Sequence, residues 1–136
     1  MTSAISPKYA LITGATSGIG YELAKIFAEH HYNLIIVART ETDLQRTAAE
    51  LSTRYGVNVI SVAKDLFNRE APFELYDELK EKGICVDVLV NDAAQGLYGK
   101  FVETDLQREL DMLQLNIGAY LILTKLYLRD MLMRGD

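Results

Sequence analysis

Cysteine and basic charge are scarce in this sequence, and both shortages narrow what the protein can be. The single cysteine, Cys85, excludes an internal disulfide and is compatible with a reducing cytosol. The 14 Lys and Arg residues are outnumbered by 19 Asp and Glu, which gives a net charge of −5, and no basic cluster occurs. This charge balance argues against nucleic acid and against an anionic membrane surface as partners.

Long apolar runs and metal-ligand patterns are missing as well. The longest uncharged stretch, residues 112–124, has 13 residues, whereas a membrane helix needs roughly 20. Residues 1–7 are polar and lack the basic start and apolar core of a signal peptide. The two histidines, His30 and His31, fall at the end of a predicted helix, where they are expected to be solvated, and have no metal-ligand spacing to other His or Cys. We therefore expect a cytoplasmic protein with no membrane contact and no metal.

The remaining composition is that of one globular domain over residues 1–136, because 49% of the residues are hydrophobic and can supply a core. No internal linker, repeat or low-complexity segment interrupts it. Apolar runs typical of buried strands alternate with segments whose apolar residues recur at helical spacing. This alternation predicts an α/β fold, with a parallel sheet and helices on its faces. The predicted strands span residues 9–13, 34–38, 57–63 and 86–90, and the predicted helices span 19–27, 41–55 and 68–82.

Two of these helices carry more detailed predictions. Thr40, with Asp43 three residues later, forms a candidate cap for the helix over 41–55. The residues of this helix that are predicted to share one face are Leu44, Ala48 and Leu51. The inward-facing residues predicted for the helix over 68–82 are Phe73, Leu75 or Tyr76, and Leu79.

The stretch from residue 9 to residue 20 organises the rest of the chain. A short apolar run ends at Thr13 and is followed by Gly14, Gly18 and Gly20, after which helical spacing begins. Gly14 permits a tight turn, Gly18 lets a ligand approach the backbone, and Gly20 lets the helix pack close to the strand. The free N–H groups of the first helical turn favour an anion, and a dinucleotide pyrophosphate fits that description. An ordinary strand-to-helix turn is the alternative. No Gly-Lys-Ser/Thr follows, which excludes a P-loop.

A long helix is predicted from Thr104 or Asp105 to Met133, because no proline occurs there and apolar residues recur helically on two sides. One set comprises Leu106, Leu110, Leu113, Ile117, Leu121, Thr124 and Leu128, and the second comprises Met112, Leu115, Ala119, Ile122, Leu126 and Met133. A helix that is apolar nearly all round is buried on more than one face. We expect one face to cover the sheet and the other to join a homo-oligomer.

Polar residues follow the predicted strands at the edge where open parallel sheets bind ligands. The second strand is followed by Arg39, about 20 positions beyond the glycine loop, where the adenosine ribose of a dinucleotide would lie. The guanidinium suits a 2′-phosphate by charge and bidentate geometry. A solvated arginine at a helix start is the alternative, and nearby Glu41 is interpreted as helix-start charge. Asp65 and Asn91 end the third and fourth strands.

These strand ends resemble those of the short-chain dehydrogenases/reductases. The resemblance rests on Thr13-Gly-x-x-x-Gly-Ile-Gly20, on Ala38-Arg39-Thr40, on Asp65-Leu66 and on the segment beginning at Asn91. It implies a Rossmann-like three-layer αβα fold with strand order 3-2-1-4, and NADP(H) as the cofactor of a small-molecule carbonyl or alcohol substrate. The cofactor-binding residues that it implies are Gly14, Thr16, Ser17, Gly18, Ile19, Gly20, Arg39, Thr40, Asp65, Leu66, Asn91 and Ala93.

The resemblance also implies one catalytic residue and shows two departures. Asn116 matches the asparagine of the family's Asn-Ser-Tyr-Lys set, which helps to hold a proton-relay water; a local kink or a satisfied core amide is the alternative. Asp92 and Ala94 depart from the family's Asn-Asn-Ala-Gly segment, and Asp92 puts a charge where the family has an amide. Only the first half of the family pattern is covered, since the expected fifth strand, the serine and the Tyr-x-x-x-Lys would follow residue 136. Two Tyr-x-x-x-Lys matches, starting at Tyr21 and Tyr76, lie on helices that cannot reach the nicotinamide.

Two other functions compete with the oxidoreductase interpretation. The chain could be a non-catalytic nucleotide-binding module that uses its long helix for association. An epimerase-like relative is the other alternative, but such proteins usually carry Gly-x-x-Gly-x-x-Gly, which Gly14, Gly18 and Gly20 do not fit.

Overall fold

The computed structural model describes residues 7–135. Four strands and five α-helices alternate along this part of the chain, with one π-helical segment between the last two helices. The strands are β1 Tyr9–Thr13, β2 Asn33–Ala38, β3 Val59–Ala63 and β4 Val88–Asn91. The helices are α1 Gly18–Glu29, α2 Glu41–Tyr55, α3 Ala71–Glu81, α4 Leu106–Leu113 and α5 Ala119–Arg134, and the π-helical segment is Gln114–Gly118. The prediction that residues 1–7 carry no signal peptide concerns mainly residues 1–6, and these lie outside the described residues.

The four strands form one parallel sheet in the order β3-β2-β1-β4. β1 pairs with β2 from Tyr9 opposite Asn33 onward and with β4 from Ala10 opposite Val88 onward. The predicted strand order is therefore confirmed. Because the crossover from β3 to β4 passes over β2 and β1, the chain reverses its winding direction at β1. That reversal opens a crevice at the carboxyl ends of the strands.

The sheet separates two hydrophobic cores, because alternate side chains of a strand point to opposite faces. On one face Ala10 and Ile12 pack with residues of α1 and α2, such as Ala24 and Leu44. The core on the opposite face consists of Leu11, Ile35, Val37 and Val62 from the sheet with Val86 and with residues of α3 and α5, namely Leu75, Leu79, Leu123 and Tyr127. The molecule thus has the three layers, helices on sheet on helices, that the sequence predicted.

Several predicted details of the helices are wrong. Thr40 precedes α2 but its side chain makes no capping hydrogen bond. Residues 65–70 form turns rather than the first part of a helix, and Asn68 Oδ1 accepts a hydrogen bond from the Glu70 N–H at 3.0 Å, which holds one turn in place. Phe73 is 44% exposed, since Leu75 and Leu79 take the face of α3 that meets the sheet.

The helix predicted from 104 or 105 to 133 is not uniform. α4 begins after Asp105, whose carboxylate accepts a hydrogen bond from the Arg108 N–H, and five residues of π-helix separate it from α5. This π-helical segment contains Asn116 and Gly118, and the Gln114 amide packs where a side chain on Gly118 would lie. A π-bulge widens one turn of a helix and changes the direction of the side chains there. The cause of this break in the predicted helix is a tertiary contact, because Asn116 makes hydrogen bonds to Gln95 in the distant loop after β4.

The two apolar sides of this helical stretch have different surroundings. Leu115 and Ala119 are buried. The opposite side is exposed: the exposed apolar stripe comprises Leu106, Leu110, Leu113, Ile117, Leu121 and Leu128, each with 50% or more of its surface accessible. Met133, which was predicted to share a side with Leu115 and Ala119, is 87% exposed.

Candidate functional site

A cleft of about 430 Å³ lies at the carboxyl ends of the strands. It extends from the glycine loop, past the ends of β2 and β3, to the loop after β4. The predicted cofactor residues that line it are Gly14, Thr16, Ser17, Gly18, Ile19, Arg39, Thr40, Asp65, Leu66 and Ala93. Segments that are distant in sequence therefore meet at one surface, because parallel strands end at the same edge of the sheet.

The three glycines of the loop have different structural roles. Gly14 has a φ angle of 69°, and a Cβ atom there would lie 2.9 Å from the backbone of Ala93. Gly20 is buried, and a Cβ atom on it would lie 2.2 Å from the carbonyl oxygen of Gly14. Gly18 has a φ angle of 58°, but a Cβ atom there would meet nothing within 4 Å. Two glycines therefore let protein segments pack closely, while the backbone of the third is open to the cleft.

The start of α1 is suited to an anion. Its first N–H groups have no partner within the helix, and the Ser17 side chain makes no capping hydrogen bond. No acidic residue occurs in the first turn. Since the helix dipole adds partial positive charge here, this end of the cleft can hold a pyrophosphate.

Thr13 joins the glycine loop to the loop after β4. Its hydroxyl oxygen accepts hydrogen bonds from the N–H groups of Asp92 and Ala93, at 3.0 and 3.1 Å. The residue is fully buried, so these bonds are shielded from water. These partners could not be predicted from the strand end and glycine motif that contain Thr13, because they lie 79 and 80 positions away in sequence.

Two cations, Arg39 and Lys64, line the cleft near the ends of β2 and β3, and their surroundings differ. The Lys64 Nζ lies 2.6 Å from Glu78 and 3.2 Å from Glu74, and the hydrogen bond to Glu78 is the main cause of the raised pKa of Lys64. Arg39 makes no ion pair within residues 7–135, and its guanidinium lies 5.2 Å from the centre of the Phe67 ring. The exposed guanidinium is therefore available to an anionic ligand. Sequence reasoning missed both Lys64 and Phe67, although each neighbours the Asp65-Leu66 pair.

The end of β3 carries the other two predicted adenosine contacts. Asp65 is exposed, and its Oδ1 accepts a hydrogen bond from the Phe67 N–H at 3.0 Å. Leu66 is buried and packs with Ala71, Leu115 and Ala119. This turn places the Phe67 ring beside the Arg39 guanidinium.

Three predicted site residues, Gly20, Asn91 and Asn116, do not line the cleft. The Asn91 amide donates a hydrogen bond to the Thr124 hydroxyl at 3.0 Å, and its Oδ1 is buried without a partner among the residues that the structure describes. The Asn116 carboxamide accepts a hydrogen bond from the Gln95 N–H at 3.1 Å and donates one to the Gln95 carbonyl oxygen at 2.9 Å. Asn116 thus anchors the loop after β4 to the π-helical segment, and Gln95 itself lines the cleft.

Both Tyr-x-x-x-Lys matches lie away from this cleft. Tyr21, on α1, donates a hydrogen bond to Glu50 of α2. Tyr76, on α3, donates one to Asp130 at 2.7 Å and accepts one from Lys80. Neither tyrosine is among the residues that line the cleft. That these matches are coincidental stays a prediction.

Among residues 7–135, no three or more His, Cys, Asp or Glu side chains are grouped so that they could hold a metal ion. No helix in the same range combines the length and apolar character needed to cross a membrane.

A methyl group added at Gly20 is expected to destabilise the fold. In a Gly20→Ala variant the new Cβ atom would collide with the Gly14 carbonyl oxygen, so backbone must move. Overpacking of this kind costs about 1–3 kcal/mol of unfolding free energy, which urea denaturation followed by circular dichroism would measure. Gly96→Ala is the matched control, because a Cβ atom there meets nothing within 4 Å. Equal stability of the two variants would contradict the prediction.

Comparison with known proteins identifies the fold family. Residues 8–136 match the family model of the short chain dehydrogenase. The chain is 35% identical over 131 residues to a very-long-chain 3-oxoacyl-CoA reductase of Pyrenophora tritici-repentis (strain Pt-1C-BFP), which covers 93% of this chain and 38% of that protein. A protein with the same description from Anas platyrhynchos is 31% identical over 135 residues, covering 93% of this chain and 42% of that protein.

Solved structures agree with this result. The bulky-bulky ketone specific alcohol dehydrogenase of Comamonas testosteroni superposes with a TM-score of 0.89 at 30% identity, covering 97% of this chain and 52% of that one. L-sorbose reductase of Gluconobacter frateurii, in complex with NADPH and L-sorbose, gives 0.88 at 30% identity over 99% of this chain and 51% of that one. The chain therefore spans about two fifths of the length of these curated relatives and about half of these solved structures.

The parallel sheet with its reversal at β1, the glycine loop over the start of α1 and the family match over residues 8–136 lead to one conclusion. This chain belongs to the short-chain dehydrogenase family.

Proposed function

We propose that this chain is the NADP(H)-binding half of an oxidoreductase that acts on a small-molecule carbonyl or alcohol. The observation that supports this most is the cleft, which is lined both by the uncapped start of α1 and by Arg39, a residue without an ion-pair partner in residues 7–135. A dinucleotide with a 2′-phosphate carries two separate anionic groups, and its pyrophosphate would meet the helix start while the phosphate on its adenosine ribose would meet the arginine. The names of the relatives, reductases and alcohol dehydrogenases, support the chemical class of the substrate.

The residues of the cleft fit such a cofactor. The backbone around Gly18 is open where the pyrophosphate would approach, and Arg39 would hold the 2′-phosphate together with the polar Thr40. Asp65 and Leu66 would meet the adenine, and the backbone at Ala93 would border the ribose. When bound, the nicotinamide supplies hydride chemistry. The described residues of this chain would bind and orient the cofactor, and those that line the cleft include no tyrosine.

Binding and turnover separate this proposal from the alternative of a non-catalytic nucleotide-binding module. NADPH binding can be followed by its fluorescence, and the absence of tryptophan removes one source of background. Saturable binding supports the dinucleotide site, whereas no binding at millimolar NADPH would overturn it. Turnover by a longer protein that contains this chain would exclude the module, whereas its absence there would favour the module.

We also propose that the exposed apolar stripe joins two copies of the chain. The stripe runs along α4, the π-helical segment and α5, and exposed apolar patches of this kind mark interaction surfaces. A Leu121→Glu variant should be monomeric at tens of micromolar, because the change would place a charge in the middle of the contact. Multi-angle light scattering measures this directly.

The matched control for the stripe is Ile26→Glu. Ile26 is 49% exposed on α1, on another surface of the molecule. This variant should keep the oligomeric state of the unchanged protein. A monomeric unchanged protein, or equal dissociation by both variants, would contradict the proposed interface.

A further inference from the structure

Asp92 places a carboxylate beside the start of α1, at the pyrophosphate end of the cleft. Its Oδ2 lies 2.7 Å from the position that a Cβ atom would take on Gly20, the third residue of the helix. Asp92 also lines the cleft. The backbone of Asp92 is held by the hydrogen bond from its N–H to Thr13 Oγ1 at 3.0 Å, so the side chain projects from a fixed point.

The charge of Asp92 is not neutralised by a neighbouring cation. Within residues 7–135 its carboxylate makes no ion pair and no side-chain hydrogen bond. Of the two cations that line the cleft, Lys64 is engaged by two glutamates and Arg39 lies over Phe67. The carboxylate also interacts electrostatically with Tyr120 of α5. Burial raises the pKa of Tyr120, and the negative charge of Asp92 raises it further.

Resting on the proposed dinucleotide function, we propose that Asp92 sets the affinity of the cleft for phosphate-bearing ligands by repelling their charge at the start of α1. The helix dipole attracts an anion to this point, and Asp92 is an internal anion close by. A ligand with a pyrophosphate must be accommodated next to that charge, whereas a neutral nucleoside is not affected. Asp92 thus determines selectivity between charged and uncharged ligands and takes no part in the reaction.

Removal of the charge gives a direct test with ADP and adenosine as probes. In Asp92→Asn the affinity for ADP should rise roughly tenfold, the order expected when one of two nearby charges in a partly buried site is removed. The affinity for adenosine, which has the same base and ribose, should not change. Isothermal titration calorimetry with both probes measures the ratio. The difference between the unchanged protein and the variant should also shrink as salt is raised, because ions screen the repulsion.

The controls separate charge from shape and from net charge. Asp92→Ala removes the same charge without introducing an amide, so it should also tighten ADP binding and serves if the asparagine variant fails to fold. Glu81→Gln changes the net charge equally at an exposed position near the end of α3 and should leave ADP binding unchanged. Thermal unfolding without ligand compares the stability of the Asp92 variants with that of the unchanged protein. Loss of a carboxylate near a helix start should lower stability slightly while ADP affinity rises.

Failure of this inference differs from failure of the proposed function. If the unchanged protein binds ADP and NADPH but neither Asp92 variant binds ADP more tightly, the role of Asp92 is overturned and the cofactor site stands. Equal gains for adenosine and ADP would also overturn it, because they indicate a change of shape. If neither the unchanged protein nor the variants bind ADP or NADPH, the proposed function and this inference both fall.

Discussion

An Arg39→Ala variant is expected to bind NADPH tenfold or more weakly than the unchanged protein, with NADH affinity nearly the same. The exposed Arg39 guanidinium stands at the end of β2 without an ion-pair partner in residues 7–135. A charge-assisted hydrogen bond to a phosphate contributes about 1.5–3 kcal/mol, which is roughly a tenfold or larger change in affinity. Calorimetric titration of both cofactors measures the discrimination between them. The unchanged protein should therefore prefer NADPH, because NADH has no 2′-phosphate.

Two further variants define the contribution of Arg39. Arg39→Lys keeps the charge but loses the planar fork and its stacking on Phe67, so its NADPH affinity should lie between the other two. Arg69→Ala removes an equal charge from an exposed turn and should have little effect. Equal affinity of the unchanged protein for NADPH and NADH, or an undiminished NADPH affinity in Arg39→Ala, would refute the assignment of the 2′-phosphate to this residue.

A polypeptide of these 136 residues is expected to bind NADPH but to reduce no carbonyl at a rate typical of its relatives. Hydride transfer to a carbonyl leaves an alkoxide, so a proton donor must stand within hydrogen-bond reach. The family resemblance assigns that role to a tyrosine whose pKa a lysine lowers, and a serine polarises the carbonyl. Loss of the acid catalyst alone removes about 10²–10⁴-fold in rate.

Other groups engage the side chains that could be considered from the sequence motifs and from the cleft lining. Tyr21 and Tyr76 are bonded to Glu50 and Asp130 on other surfaces. Both polar groups of the Asn116 side chain are occupied by the backbone of Gln95. Lys64, the lysine that lines the cleft, is paired with two glutamates. We therefore expect these side chains to supply no proton donor, while the cleft, as proposed, would hold the cofactor.

Absorbance of NADPH, followed with a panel of aldehydes and ketones, tests this expectation. L-sorbose reductase with L-sorbose serves as the positive control for the assay, because its structure holds both ligands. Steady turnover by the purified 136-residue polypeptide that Asn116→Ala abolishes would show that the chemistry is misplaced. NADPH binding without turnover is the expected outcome.

The sequence predicted the sheet better than the helices that cover it. All four strands were found within two residues of their starts and one residue of their ends, since short apolar runs that stop at polar or glycine residues are a local signal. The helix over 68–82 begins later, at Ala71, because turns stabilised by Asp65 and Asn68 occupy its predicted first residues. Local turn chemistry prevailed there over apolar spacing.

The candidate site was predictable where it depended on strand ends. Ten of the predicted residues line the cleft, because parallel strands bring their ends together whatever the details of packing. Their roles toward a cofactor remain predictions. Lys64, Phe67 and Gln95 were missed, since their position in the cleft follows from contacts with α3, Arg39 and Asn116 rather than from any spacing along the chain.

The sequence by itself determined the order and type of the elements, the parallel sheet and the positions of the loops at the carboxyl ends of the strands. Apolar periodicity and glycines specify these features within windows of a few residues. Only the tertiary structure decided that Asn116 bonds to Gln95 in a π-helical segment and that Thr13 holds the loop after β4. It also decided that Asp92 stands at the start of α1. Each of these contacts joins side chain and backbone groups at least 20 positions apart, so none has a signal in the local sequence.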